Sequence, residues 1–326
     1  TMRMIAGLEQ ITDGNIYINN KKVNDLDPAT RNVALAFESY ALYQHMTVRE
    51  NISFCLKVKK FSKKEIEEKI NWAGNLLGIS EILESKPASL SGGQQQLVSV
   101  ARALIRKPSV TLLDEPISHL DTRTRLKISL KIRQIQNETK LTMVYVTHNQ
   151  EEALALADKI AVMNNGELQQ VGERSKIIDK PINTFVADFI GEPSINFIEC
   201  QLLNDNNTLK AVSENGSFQI KLDKEIASTV KYNNLDNLII GIRPIDLYTE
   251  QDKKDSKKIV GEIIYFEFLG ETGIVKARIG GQTDMVVVVN PSLKFKKGEK
   301  IDLYFNIEKV HFFNPGNGIR ILKNKR

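Results

Sequence analysis

The amino-acid sequence predicts an α/β fold, a mainly parallel sheet with helices on its faces, followed by a smaller β-rich domain. Three observations carry that expectation. Short β-branched or aliphatic runs at 110–113 and Thr142–Val146 are each followed by a segment of helical periodicity, 123–137 and 150–157. Such alternation is the pattern of parallel sheets, whose ligands sit at the C-terminal ends of the strands. After Gly191-Glu192-Pro193-Ser194 the style changes to short alternating strands separated by turns, which places a domain boundary there and divides the chain into 1–190 and 191–326. Finally, 326 residues exceed one ordinary domain, and 41% apolar with 26% charged residues is a globular composition able to bury a core.

From the N-terminus, Met2–Ala6 before Gly7 reads as the end of a helix, because glycine accepts the left-handed turn that terminates helices. Residues 15–19 alternate as a short strand, and 33–37 form an apolar run of strand length. Lys63–Leu77 sets Ile66, Ile70, Ala73, Leu76 and Leu77 at helical spacing among charges, and 94–105 continues in that style. In the second domain 285–289 and 301–305 read as strands, whereas 204–207 and 251–258 are polar and loop-like.

Composition excludes several classes. Lysine and arginine total 45 against 40 acidic residues, and a net charge of +5 over this length is too small for a dedicated nucleic-acid binder. No apolar run approaches the roughly 18 residues of a membrane span. Cys55 and Cys200 lie far apart, which indicates neither a disulfide framework nor a thiolate metal site and fits a reducing, cytosolic compartment. The lysine-rich stretch 57–69 contains Glu65, Glu67 and Glu68 and reads as a solvated helix face. His119 and His311 have no metal-ligand spacing, so no zinc site is assigned.

Three segments carry chemistry. Val110-Thr111-Leu112-Leu113-Asp114-Glu115-Pro116 is an apolar strand that delivers two adjacent carboxylates at its C-terminal end. Neighbouring strand residues point in different directions, so one carboxylate can hold Mg²⁺ while the other faces an attacking water; alone, the same run also reads as a strand ending in an acidic turn. Ser91-Gly92-Gly93-Gln94 precedes a helix, and a serine with two glycines at a helix N-terminus exposes N–H groups to an anion or simply caps the helix. Val144-Tyr145-Val146 is a strand leading to His148, whose imidazole can donate to a phosphate oxygen or orient a water.

Together these segments resemble the nucleotide-binding subunit of an ATP-binding-cassette (ABC) transporter. Leu90-Ser91-Gly92-Gly93-Gln94 matches the family signature, Leu112-Leu113-Asp114-Glu115-Pro116 its Walker B segment, Ser118-His119-Leu120-Asp121 its D-loop, and Val146-Thr147-His148-Asn149-Gln150-Glu151-Glu152-Ala153 its switch-histidine region. Gly241-Ile242-Arg243-Pro244, Ile195-Asn196-Phe197 and residues 302–313 look like the accessory β domain of maltose-type sugar importers. The resemblance implies a P-loop NTPase-type ABC ATPase domain with a helical subdomain over about 48–105, then an OB-like β domain. It implies ATP and Mg²⁺ as cofactors, with Asp114 assisting the metal, Glu115 polarising the attacking water and His148 contacting the γ-phosphate. Ser91, Gly92, Gly93, Gln94 and Asp121 would serve nucleotide binding across a homodimer or a heterodimer with another ABC ATPase subunit. The remaining implied partners are integral-membrane permease subunits, contacted near 36–50 with Tyr40, Tyr43 and His45, and, indirectly, an extracytoplasmic solute-binding protein. The implied location is peripheral, on the cytoplasmic face of the membrane, with sugar as the favoured cargo and a polyamine or an anion as alternatives.

The sequence also departs from the family. The phosphate loop G-x-x-x-x-G-K-[ST] is absent from the 326 residues, and Thr1-Met2-Arg3-Met4-Ile5-Ala6-Gly7-Leu8-Glu9 looks like the segment directly after that loop in relatives. The expectation is an N-terminally incomplete copy whose ATP affinity, short of several hydrogen bonds worth about 1.5 to 3 kcal/mol each, falls more than roughly a thousandfold. A non-catalytic partner that offers Ser91 to Gln94 in trans is the competing expectation. Glu38 stands where the family usually places a glutamine that ligates Mg²⁺; it retains an oxygen ligand but adds negative charge beside Asp114 and Glu115. Gln95 and Leu97 stand where relatives commonly carry arginines.

Overall fold

The computed structural model describes residues 1–36, 41–118, 120–205, 208–250 and 256–322. They divide into two units, Thr1–Ala157 and Asp158–Arg326. In the first, helix α1 (Met2–Ala6) ends at Gly7, whose φ of 81° is the left-handed turn expected from sequence. A side chain there would collide with Arg31, whose guanidinium donates to the Met4 and Ile5 carbonyls at 2.8 and 3.2 Å that the helix end leaves open. The short strand read at 15–19 is one arm of a hairpin, β1 (Tyr17–Ile18) against β2 (Lys21–Lys22), turned by Asn19 and Asn20 with φ of 50° and 62°.

Strand β3 (Val33–Ala36) starts the central sheet. Helices α2 (Val48–Val58), α3 (Lys63–Leu77) and α4 (Gly92–Leu104) come next, each opened by a reciprocal capping box: Thr47 with Glu50, Ser62 with Glu65, Ser91 with Gln94. Then come β4 (Val110–Asp114), α5 (Thr122–Thr139), β5 (Thr142–Val146) and α6 (Gln150–Leu156). The three strands are parallel in the order β3-β4-β5, so Leu35, Leu112 and Val144 lie in register. Ile52 and Leu56 of α2, Ile70 of α3, Val98 and Leu104 of α4, and Ile132 and Ile135 of α5 share one apolar core with Leu113.

The second unit begins with the hairpin β6 (Ile160–Asn164) and β7 (Glu167–Gly172), then α7 (Arg174–Asp179) and α8 (Thr184–Phe189). An antiparallel sheet of order β10-β9-β8-β11-β17 contains β8 (Asn196–Asp205), β9 (Thr208–Ser213), β10 (Gln219–Lys221), β11 (Asn237–Ile242) and β17 (His311–Phe313). A second sheet of order β12-β16-β13-β14-β15 contains β12 (Leu247–Tyr248), β13 (Ser256–Phe268), β14 (Gly273–Ile279), β15 (Thr283–Val289) and β16 (Lys300–Asn306). Cys200, Leu238 and Ile240 of the first pack with Val275, Met285, Val287 and Leu303 of the second. The Asn196 amide ties them together, donating to Ile242 O at 3.1 Å and Val286 O at 2.8 Å and accepting from Val286 N at 2.7 Å.

Within the second unit, one strand and one helix depart from the sequence-based expectation. The loop read at 251–258 gives way to β13 from Ser256, because Lys257 and Lys258 pair with Phe305 and Tyr304 of β16 and Lys258 meets Asp302 at 2.6 Å. Helix α9 (Lys224–Tyr232), capped by Asp223, lies within a segment expected to be β-rich and buries Ile226 and Val230. Separately from the boundary read at 190–191 from the change of sequence style, the compact units divide after Ala157. The buried Arg243 donates to Ile190 O and Ile178 O at 2.6 and 2.9 Å, and Thr184 N donates to Gly318 O, so 158–190 is bound to the strands beyond it.

Candidate functional site

The carboxylates expected at the end of β4 are there, and the backbone separates them. Asp114 is the last strand residue, in register with Val146. Glu115 leaves the strand direction with φ of 43°, a conformation unfavourable to a residue with a side chain, while its N–H still donates to Val146 O at 3.0 Å. The turn is closed from below by Ser118, whose N–H and hydroxyl both donate to Glu115 O, at 3.4 and 3.1 Å. Two residues beyond β5, His148 places Nδ1 2.9 Å from Glu115 Oε2. His148 is 71% exposed and Glu115 31%, so the pair is open to solvent and to ligand.

His148 is held by its neighbours. Thr147 Oγ1 accepts from Asn149 N at 2.9 Å and donates to Glu152 Oε2 at 2.9 Å; Tyr145 OH donates to the same oxygen at 3.0 Å. Asn149 caps α6 by accepting from Glu152 N. Glu152 is 7% exposed, and burial together with this carboxylate pushes the Tyr145 phenol well above its ordinary pKa. The sequence reading missed Tyr145, Thr147, Glu152 and Arg125 as site residues. The acidic pair Glu151-Glu152 was visible, but nothing local says which of the two is buried.

At the start of α4, Ser91 and Gln94 spend their side chains on one another: Gln94 N donates to Ser91 Oγ at 3.3 Å and Ser91 N to Gln94 Oε1 at 3.0 Å. Among the described residues the N–H groups of Gly92 and Gly93 have no hydrogen-bond acceptor. Gly93 also serves packing, since a Cβ there would lie 2.9 Å from Thr124 Cγ2 and 3.4 Å from Ile128 Cδ1 on α5. Gln95 closes the preceding turn by donating to Pro87 O and Leu90 O, and Leu97 packs on the helical core, so both positions have structural uses. Asp121 caps α5, accepting from Thr124 N at 3.0 Å, and hydrogen bonding from the Thr124 side chain, then from its backbone N–H, holds the Asp121 carboxyl below the ordinary range. The structure thus brings Asp114, Glu115 and His148 to one strand edge, and among the described residues no hydrogen bond joins them to the Ser91–Gln94 turn. Glu38, Tyr40 and His119 lie outside the described residues. Tyr43 stacks under the Arg102 guanidinium at 4.7 Å and beside Phe54 and His45. His311 is buried, and no cluster of three His, Cys, Asp or Glu side chains suited to a metal occurs among the described residues.

Polar groups gathered at the C-terminal ends of parallel strands are the arrangement of an α/β ligand-binding class. Residues 1–118 match the family model described as ABC transporter, and 240–313 match the TOBE domain. The trehalose/maltose import ATP-binding protein MalK of Thermococcus litoralis is 40% identical over 331 residues, covering 98% of this chain and 87% of that protein. The oligosaccharides import ATP-binding protein MsmX of Bacillus subtilis is 37% identical with the same coverage. An Agrobacterium fabrum sn-glycerol-3-phosphate import ATP-binding protein, UgpC 2, is 40% identical over 98% of this chain and 83% of its own length. The chain belongs to the ABC transporter ATP-binding protein family, with an α/β ATPase domain followed by an OB-like TOBE domain. No described helix is long and apolar enough to cross a membrane.

Proposed function

We propose that this chain is the ATP-hydrolysing subunit of a membrane importer for saccharides, with residues 1–190 as the ATPase domain and 191–326 as the accessory domain. The observation that carries the reading is the 2.9 Å contact of His148 with Glu115 at the C-terminal ends of adjacent parallel strands. The residues present fit part of the contacts the implied cofactors need, the phosphate loop being absent from the sequence. Asp114 has a carboxylate without a hydrogen-bond partner among the described residues, and a Mg²⁺ ion takes one or two carboxylates and completes its shell with phosphate and water. The free Gly92 and Gly93 N–H groups at the start of a 13-residue helix fit a phosphate.

In this reading Glu115 accepts a hydrogen bond from the attacking water and polarises it, while His148 orients Glu115 and donates toward the phosphate oxygens. Bound Mg²⁺ supplies charge neutralisation on the phosphates, and Asp114 and Glu38 would hold it. Ser91, Gly92, Gly93, Gln94 and Asp121 serve the nucleotide held by a second ATPase subunit, so two subunits close together, on the cytoplasmic face of the membrane, and drive the permease pair through the surface around Tyr43. The names of the relatives support a saccharide as cargo. The test is Glu115→Gln in a form of the protein that carries a phosphate loop, assembled with its permease. Loss of a positioned base predicts a kcat 10²- to 10⁴-fold lower, with nucleotide binding retained and saccharide-stimulated turnover abolished. Unchanged turnover would refute the assignment.

A further inference from the structure

The Glu115–His148 contact is one link of a closed ring. Going one way, His148 comes directly after Thr147, whose hydroxyl donates to Glu152 Oε2 at 2.9 Å. The other oxygen of that carboxylate faces Arg125 Nε of α5 at 3.6 Å. Arg125 Nη2 donates to Leu120 O at 3.0 Å and Ser118 O at 3.5 Å, and Ser118 returns two hydrogen bonds to Glu115 O. Glu152 is the buried member of this circuit, 7% exposed, and its carboxylate meets Tyr145 and Thr147 at the end of β5 and Arg125 on α5, two separate stretches of chain. A carboxylate that served α6 alone would need none of these partners. Asn149 already caps that helix, and an acidic residue in the first turn can satisfy the dipole from the surface, as its neighbour Glu151 does.

We propose that Glu152 is a positioning residue that locks the His148 loop to the 115–121 turn through Arg125, so that the general base and the histidine keep their separation as one body. The kinetic part rests on the ATPase reading above; the mechanical part does not. Thr147 and Tyr145 fix the loop side, and Arg125 fixes the turn side by gripping two carbonyls. The shared carboxylate joins the two sides.

The test is hydrogen–deuterium exchange on the full chain carrying Glu152→Ala, Glu152→Gln or Tyr145→Phe. With Glu152→Ala, the amides of both 116–121 and 147–150 should exchange at least about tenfold faster, through loss of the Thr147 hydrogen bond on the loop side and of the 3.6 Å ion pair that leaves Arg125 without its carboxylate on the turn side. Glu152→Gln keeps an acceptor for Thr147 but loses the charge that holds Arg125, so the rise should concentrate in 116–121; this variant also serves if the alanine chain fails to fold. Tyr145→Phe leaves both links and should change 116–121 by less than about threefold. Faster exchange confined to 147–153, with 116–121 as in the unsubstituted chain, would overturn the proposal. In the assembled ATPase, Glu152→Gln should lower kcat about tenfold with the KM for ATP within twofold, and a rise in KM alone would overturn the kinetic part. If the unsubstituted assembly does not turn over, the ATPase reading fails, and the exchange pattern still decides the coupling.

Discussion

Asn196→Ala should be among the most damaging single changes in the second unit. Asn196 is 6% exposed and opens β8, and its amide makes three hydrogen bonds, two of them to Val286. Val286 lies on β15, the edge of its sheet, so the amide takes the place of a missing neighbouring strand. At about 1 kcal/mol net per bond, with peptide groups left unpaired at a buried edge, the loss is about 3 kcal/mol. For a unit of this size that lowers the melting temperature by roughly 6 to 12 °C, measurable as the second-unit transition in calorimetry of the full chain. Asn196→Asp sharpens the reasoning. It keeps the shape but turns an oxygen toward the Ile242 and Val286 carbonyls, so the folded state disfavours ionisation and the new carboxyl titrates above the unfolded value of about 3.9. A raised folded pKa gives stability that is present at acid pH and lost as pH rises through it, so this variant should lie closer to the unsubstituted chain at pH 4 than at pH 7. A shift of less than about 3 °C in Asn196→Ala, or a pH-independent gap in Asn196→Asp, would refute the account.

Burial and close approach give the other expectations. His311 is buried near Arg320, Arg243 and Lys309 with Nδ1 unpartnered, and burial holds its pKa down to about 3. The unfolded chain therefore binds a proton that the folded one refuses, so this contribution is full above about pH 6.5 and falls by about 1.4 kcal/mol per unit toward pH 3; His311→Phe should flatten that slope in denaturant titrations. Gly7→Ala forces a left-handed alanine against Arg31 Nε at 2.6 Å and should cost about 2 to 3 kcal/mol, read as a lower denaturation midpoint and much reduced in an Arg31→Ala background. Gly93→Ala adds a methyl 2.9 Å from Thr124 Cγ2; overpacking of about 1 to 3 kcal/mol should outweigh a helix gain of about 1 kcal/mol, and Thr124→Ser, which removes that methyl, should restore stability in a double-mutant cycle.

Much of the fold was legible because local chemistry and tertiary structure agree. Lys63–Leu77 shows its period and its Ser62–Glu65 box, and Gly7 announces the end of α1. Where they disagree, the reading failed for identifiable reasons. Lys257 and Lys258 have loop composition, yet a strand forms because β16 offers them a ladder and Asp302 an ion pair. Helix α9 carries a cap at Asp223 and apolar residues at Ile226 and Val230, a signal too short to stand against surrounding strand patterns. Apart from these, Arg243 donates to Ile190 O more than fifty residues before it, a hydrogen bond that no local rule anticipates.

The same contrast runs through the site. Asp114, Glu115 and His148 were found because each ends or comes just after an apolar strand, and parallel strands in register bring their C-terminal ends together whatever the side chains are. The residues that make the meeting close enough for chemistry are different in kind. Glu115 needs a left-handed backbone, which Ser118 closes from below, and His148 needs Glu152 buried behind it, answered by an arginine 27 positions earlier on another helix. A motif therefore locates the proposed reacting groups, whereas the precision of their placement is stored in contacts distant in sequence. Under the proposed function, variants with intact motifs should accordingly lose turnover by loosening Glu152, Arg125 or Ser118, with the strand-end carboxylates untouched.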